Sequence, residues 1–167
     1  YSTGATPGVL MTCGSVSDDG SLEWDKLHTF VSRNGGLSWS KVLDFPVTYA
    51  FGDMGNIIVA VPYDSSSDGD SASEIFYSLD QGHTWSEYQL KREIYPFRLF
   101  VTTVDGSGST FILTGMPVHL GQEKENSVIY TIDFSDAFDK KTCKDDDFED
   151  WYQGDGKCVN GAKYKYR

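Results

Sequence analysis

Most residues that could carry chemistry in this chain are carboxylates, and their spacing sorts them before any fold is considered. Asp64, Asp68 and Asp70, followed by Glu74, form a stretch with the look of a calcium loop. A helix–loop–helix calcium site needs a bidentate Glu at the twelfth loop position, which counted from Asp64 is Ile75. The flanks read as strands, so a solvated loop between strands is expected. Asp145-Asp146-Asp147-Phe148-Glu149-Asp150 is an acidic run, and such runs ordinarily form a solvated surface. Asp133 and Asp136 flank a strand end, with no neighbours that would raise a pKa or build a cleft, so capping is expected there. The histidines His28, His83 and His119 are scattered and no Cys-x-x-Cys occurs, which speaks against zinc. The pattern predicts no catalytic residue, no cofactor-binding residue, no metal ligand and no cofactor.

The bulk properties narrow the partners. A formal net charge of −11 repels phosphate, so nucleic acid and anionic membrane surfaces are not expected partners. No apolar run approaches the roughly 20 residues of a membrane span, and the first residues do not read as a signal peptide. The segment is expected to be soluble by itself or as a piece of something larger, with no membrane contact of its own. Three cysteines, Cys13, Cys143 and Cys158, are too few for a disulfide scaffold. Cys143 and Cys158 sit 15 residues apart in a polar tail, a candidate bridge in an oxidising compartment, which leaves one thiol free, buried or paired elsewhere.

The elements that must position these groups are strands. Val9-Leu10-Met11, Ile57 to Val61, Glu74 to Ser78, Phe111-Ile112-Leu113 and Ser127 to Ile132 are short β-rich runs punctuated by Gly, Asp, Ser and Pro. No amphipathic helix is legible before residue 133, and a short helical turn capped by Ser135 is expected after it. One repeat stands out: Thr29 to Ser40 aligns with Ile75 to Ser86, an offset of 46 residues from Ser32 to Ser78. A second correspondence joins Phe51 to Ile58 with Thr103 to Ile112, each a turn feeding a buried strand. A period of this size with four short strands per unit fits β-propeller blades.

Both repeats carry Ser-x-[Asp/Asn]-x-Gly-x-[Ser/Thr]-Trp, the Asp-box, as Ser32, Asn34, Gly36, Ser38, Trp39 and as Ser78, Asp80, Gly82, Thr84, Trp85. Asn34 or Asp80 should accept backbone N–H bonds in a tight hairpin turn. Gly36 and Gly82 should adopt positive φ, Trp39 and Trp85 should pack under the turn, and the Ser38 and Thr84 hydroxyls should bond backbone groups. These residues are expected to be structural.

Laid on the chain, residues 8–14, 28–32 and 39–43 supply three strands of one blade. Residues 48–52, 57–62, 74–79 and 85–90 supply a full second blade, and 97–104, 110–116 and 127–134 three strands of a third. The expectation is an all-β, incomplete β-propeller fragment of about three blades, because propellers close with at least about four. Unpaired blade edges would aggregate, so the missing strands should come from the remaining propeller segment of the same parent protein. Asp-boxes also occur in sialidases, which bind a carboxylate with an arginine triad. Of Arg33, Arg92, Arg98 and Arg167, Arg33 lies inside a hairpin turn and Arg167 is terminal, and there is no Gly-x-Ser-x-Gly motif. The segment is therefore not expected to be an enzyme, and the alternative is a sialidase-like Asp-box glycosidase fragment with its catalytic residues outside this chain.

The segments Ser32 to Trp39, Tyr49 to Pro62 and Tyr77 to Trp85 resemble the sortilin family. So do Val128 to Phe134 followed by Cys143, the acidic run, Trp151 and Gly156 to Gly161. The resemblance runs from about Gly8 to Arg167 and implies the lumenal portion of a sorting receptor. It implies a ten-bladed propeller with two small cysteine-rich modules, with residues 1–134 as closing blades and 135–167 as the start of the first module. By the same resemblance the parent would be a single-pass membrane protein. Its lumenal side in Golgi, endosome or vacuole membranes would bind vacuolar or lysosomal hydrolases, or propeptides, as protein or peptide cargo. Two departures are visible. Asn34 stands where Asp is usual, and the cysteine that usually precedes the first box is absent, its region being Trp24 to His28. Cys143 and Cys158 would pair with each other or with cysteines past Arg167.

Overall fold

The computed structural model describes residues 6, 8–21, 23–63, 71–118, 127–138, 144–147, 150–152 and 165–166. Among these the regular elements are β-strands and three short 3-10 turns, so the chain is all-β. Strands β1 (Leu10–Gly14), β2 (His28–Ser32) and β3 (Ser40–Leu43) form a three-stranded antiparallel sheet in that order. Strands β4 (Val47–Gly52), β5 (Ile57–Pro62), β6 (Ala72–Ser78), β7 (Ser86–Val101), β8 (Thr110–Pro117) and β9 (Val128–Asp133) form a second antiparallel sheet, again in chain order. A separate short pair joins β10 (Trp151–Tyr152) to β11 (Lys165–Tyr166). In each of these sheets strands consecutive in the chain are hydrogen-bonded neighbours, the meander arrangement of propeller blades.

The expected break between a second and a third blade is bridged. In place of separate strands at 85–90 and 97–104, β7 runs unbroken through 16 residues. It pairs with β6 from Ser86 to Ile94 and with β8 from Ile94 to Val101. The stretch between contains no Gly, Asn or Asp to reverse the chain, and Ile94 is fully buried. Pro96 lacks an N–H and sits where the β7–β8 register shifts, a place in a ladder that tolerates proline. The two halves of the six-stranded sheet therefore curl against each other about β7.

Two apolar clusters hold the stack. Val9, Met11, Val31 and Leu43 of the first sheet pack on Val47, Phe51, Ile58 and Ala60. On the other face of β5, Ile57, Val59 and Val61 join Ala72, Ile75, Ile94, Leu99, Phe111 and Leu113. Strand β5 reads as an unbroken apolar run because both of its faces are covered, each fully buried side chain contributing about 1.5–3 kcal/mol. Cys13 is a free, half-buried thiol whose Sγ donates to the Val47 carbonyl at 3.4 Å and accepts the Val47 N–H at 3.3 Å, joining the two sheets.

Of the short helical turn expected over residues 136–141 with Ser135 as its cap, residues 135–138 form a turn and residues 139–141 lie outside the described residues. The Asp133 carboxylate accepts the Ser135 N–H at 2.9 Å, and the Ala137 N–H donates to the Phe134 carbonyl at 2.9 Å. Asp133 reaches its own backbone two residues on, the local pattern with which short carboxylates compete against helix. Asp145–Asp147, the start of the acidic run, form a 3-10 turn in which Asp145 and Asp146 are exposed. The Asp64-to-Asp70 stretch, Cys143, Cys158, His119 and Arg167 lie outside the described residues.

Candidate functional site

The repeated motif builds the two most polar, best-connected turns of the described chain, so it is the place to ask what chemistry the fold supports. In the second box, between β6 and β7, the buried Ser78 hydroxyl donates to Asp80 Oδ1 at 2.7 Å and accepts the Gly82 N–H at 2.8 Å. Asp80 Oδ1 accepts the Thr84 N–H at 2.8 Å, and Oδ2 accepts the Thr84 hydroxyl at 2.6 Å. Trp85 folds back so that its Nε1–H donates to the Gly82 carbonyl at 3.2 Å. The first box, between β2 and β3, repeats the plan. The Ser32 hydroxyl accepts the Gly36 N–H at 2.8 Å, Asn34 Oδ1 accepts the Ser38 N–H at 3.0 Å, and Trp39 Nε1–H donates to the Gly36 carbonyl at 3.1 Å.

The geometry refines three expectations. The Ser38 and Thr84 hydroxyls bond the Asn34 and Asp80 side chains, while the hydroxyls that bond backbone belong to Ser32 and Ser78. Hydroxyl polarity differs between the boxes: Thr84 donates to a carboxylate, whereas Ser38 accepts from Asn34 Nδ2–H at 2.8 Å. Trp85 packs against the apolar cluster of β4 and β5, but Trp39 stays 42% exposed on the hairpin of β3, which pairs only with β2. Gly36 and Gly82 have φ of +91° and +80°, and the residues before them, Gly35 and Gln81, are also left-handed at +72° and +57°. The motif signals the glycine but not the left-handed residue ahead of it, so Gln81 carries strain that the sequence does not announce.

Electrostatics separates the boxes further. Burial alone would raise the Asp80 pKa. Hydrogen bonds from the Thr84 hydroxyl and N–H, the Ser78 hydroxyl and the His83 N–H outweigh it and hold the carboxyl at about 2. A group held ionised in this way is a turn-builder, since it can neither give nor take a proton near neutrality. Asp133 is also held below its usual range by the Ser135 N–H and hydroxyl. The arginines go to separate tasks: Arg33 reaches the Gln81 carbonyl, and Arg98 lies 5.3 Å over the Phe100 ring. Among the described residues no group of three or more His, Cys, Asp or Glu comes together to hold a metal ion.

The box turns stand on one rim with the turns that leave β4 and β7. Gln81 N–H donates to the Asn56 carbonyl at 3.2 Å. Asp53 N–H and Met54 N–H each donate at 2.9 Å, to the Gly108 and Gly106 carbonyls. The two turns matched by the second sequence correspondence thus bond each other directly. Asp53, Met54 and Gly55 are all left-handed, with φ of 46°, 54° and 100°, which presents Met54 to solvent at the rim. A cleft of about 460 Å³ opens between the β6–β7 hairpin and β9, with Tyr77, Tyr88, Leu90, Tyr130, Ile132 and Phe134 in its lining. Its walls are mainly apolar and aromatic, and Lys91 and Asp133 also line it.

Two family models cover the chain. The one described as sortilin, neurotensin receptor 3, matches residues 1–99, and the one described as its C-terminal part matches residues 102–167. A protein of Saccharomyces cerevisiae (strain RM11-1a) named vacuolar protein sorting/targeting protein PEP1 is 53% identical over 98% of the chain. Vacuolar protein sorting/targeting protein 10 of Zygosaccharomyces rouxii is 49% identical over 96% of it. A second Saccharomyces cerevisiae protein, named uncharacterized membrane glycoprotein YNR065C, is 52% identical over 95%. The chain spans only 10%, 10% and 15% of these three relatives.

Proposed function

This chain belongs to the sortilin family, and from that membership we propose that it is part of the lumenal, ligand-binding portion of a sorting receptor. The receptor would carry vacuolar or lysosomal hydrolases, or their propeptides, between Golgi and endosome. The chain would supply closing propeller blades through residue 134 and the start of a cysteine-rich module from residue 135, on the lumenal side of a single-pass membrane protein. Its partners would be the rest of the propeller and protein or peptide cargo.

One observation carries the reading: the best hydrogen-bonded polar side chains are used up inside the turns. Asn34 and Asp80 are saturated by bonds to their own hairpins, and Ser32 and Ser78 are buried. What the fold presents outward is an acidic surface, rim apolar side chains and an aromatic cleft, which are means of recognition. The box residues would therefore be structural, and the chain would perform no catalysis. The names of the relatives point the same way, toward vacuolar sorting.

The test is complementation. Full-length protein containing this segment, expressed in Saccharomyces cerevisiae lacking its sorting/targeting relative, should return soluble vacuolar hydrolases to the cell interior. The purified protein should bind their propeptides. Continued secretion together with no propeptide binding would overturn the receptor reading. Glycosidase turnover by the same preparation would favour the enzyme alternative.

A further inference from the structure

We propose that Asn34–Gly35 is a deamidation site whose aspartate product the first box accepts and whose isoaspartate product it rejects. The inference does not depend on what cargo the protein carries. Asparagine followed by glycine is the pairing most open to this chemistry, since glycine has no side chain to obstruct attack by its own backbone nitrogen. Gly35 is exposed. Asn56, the other described Asn, is followed by Ile57, whose branched side chain hinders the same attack.

The step balances with water as the only co-reactant. The Gly35 backbone nitrogen attacks Asn34 Cγ and gives up its proton. The N–Cγ bond forms, the Cγ–Nδ2 bond breaks, and ammonia departs carrying that proton. Water then opens the succinimide at one of two C–N bonds. Cleavage at Cγ restores the normal backbone with aspartate at position 34. Cleavage at the Asn34 backbone carbonyl leaves isoaspartate, with one extra methylene in the main chain.

The hairpin geometry controls both the rate and the product that survives. In the closed turn the Gly35 N–H donates to the Gly8 carbonyl at 3.0 Å, and Asn34 Oδ1 is held by the Ser38 N–H and the Ser32 hydroxyl at 3.0 and 3.1 Å. Ring closure must break these bonds, so the reaction runs from the opened turn and the fold slows it. The second box shows that a carboxylate fits the same place, because Asp80 takes the Thr84 N–H and hydroxyl at 2.8 and 2.6 Å. An aspartate at 34 needs only that the Ser38 hydroxyl turn its proton toward it. Isoaspartate cannot keep the spacing that places the Ser32 hydroxyl on the Gly36 N–H at 2.8 Å while the strands stay in register from Val31 to Ser40. The refolded pool should therefore retain aspartate, each conversion taking the net charge from −11 to −12.

The experiment ages the full-length protein at mildly alkaline pH, folded and in urea. Digestion and fragmentation then assign the mass gain of about 1 Da and the isomer at position 34. Asn160–Gly161, outside the described residues, serves as the in-chain reference for the same dipeptide. Conversion at Asn34 should be several-fold slower folded than in urea, and the protease-resistant, refolded pool should carry aspartate there. Equal rates in both states, no conversion in urea while Asn160 converts, or isoaspartate retained in the resistant pool would each overturn the proposal. Asn34→Asp, which makes the product directly, keeps the test independent of the ageing chemistry. It must melt no lower than the parent if the box accepts the carboxylate.

Discussion

Arg33 Nε donates a 3.0 Å hydrogen bond to the Gln81 backbone carbonyl, so a variable position of the first box reaches across and grips the turn of the second. Burial pushes the Arg33 guanidinium down from its ordinary value while Asp80 nearby pushes it up, and it stays charged at any working pH. The grip falls on a residue in a left-handed conformation, and Gln81 also donates its N–H to the Asn56 carbonyl. Three turns from two sheets are thus tied through one strained residue.

Arg33→Met tests that tie. The aliphatic stem is kept and the bond is lost, so stability should fall by about 0.5–1.5 kcal/mol, discounted for solvent screening. Hydrogen exchange should quicken at Gln81 and Gly82 but not in β5. Exchange unchanged at Gln81 and Gly82 would show that the contact does not hold the second turn in place.

Asn34→Asp should stabilise the first hairpin by about 0.5–1 kcal/mol at neutral pH, since a charge-assisted bond from the Ser38 hydroxyl replaces a neutral one. The gain should be present above about pH 4 and be lost progressively as pH falls below it, because the bonds that hold Asp80 ionised would also hold the new carboxylate below its ordinary range. Thermal melts at neutral and acidic pH read both halves; a gain that persists in acid contradicts the mechanism.

Asp80 supplies the pH dependence of the second box. Its folded pKa of about 2 lies below the ordinary carboxylate value, so its contribution is present above about pH 4 and is lost as pH falls toward 2. After discounting for solvent screening that contribution is about 1–2 kcal/mol. Asp80→Asn should cost about that much at neutral pH and flatten the acid limb of a stability–pH curve. An unchanged acid limb assigns the proton uptake to other carboxylates.

The sheet was legible because its signals are local: apolar runs such as Ile57 to Val61 and turn chemistry repeated at Asn34–Gly36 and Asp80–Gly82. The continuity of β7 was not. Whether Lys91 to Pro96 break or bridge depends on the pairing of Ile94 with both Ala72 and Pro117, which is long-range information. Within the site, the ring of donors around Asp80 is implied by the residue types. The left-handed Gln81, the Arg33 grip and the opposite hydroxyl polarity of Ser38 and Thr84 are not, since many rotamers satisfy the same motif.

Two glycines separate backbone strain from lack of space. At Gly82 a Cβ would meet Ile58 Cδ1 and Val31 Cγ2 at 3.4 Å, ordinary contact, so Gly82→Ala should cost only the left-handed penalty of about 1–2 kcal/mol. Gly52 has extended backbone, φ −138°, yet a Cβ there would lie 2.5 Å from Phe111 Cζ and 2.6 Å from the Gly108 carbonyl oxygen. Gly52→Ala should cost at least the roughly 1–3 kcal/mol of overpacking and loosen the contact between the β4 and β7 turns. Unchanged exchange at Asp53 in Gly52→Ala, or exchange there quickened as much in Gly82→Ala, would reject this division.

The surplus of carboxylates gives the binding reading its own measurement. If an acidic surface draws in basic propeptide segments, attraction acts beyond contact and is screened over about 10 Å at 0.1 M salt and about 3 Å at 1 M. Association should slow more than dissociation quickens, because rim charges act mainly on encounter. For a basic propeptide and the full-length protein, raising salt from about 0.05 to about 0.5 M should weaken affinity several-fold, mostly through the on-rate. Glu74 and Glu87 sit side by side on the β6–β7 hairpin, both accepting from the Gln89 amide. Charge reversal of this pair should reduce the salt slope if the surface faces cargo. An affinity flat with salt would leave the rim and the aromatic cleft as the recognition surfaces, with the net charge serving solubility alone.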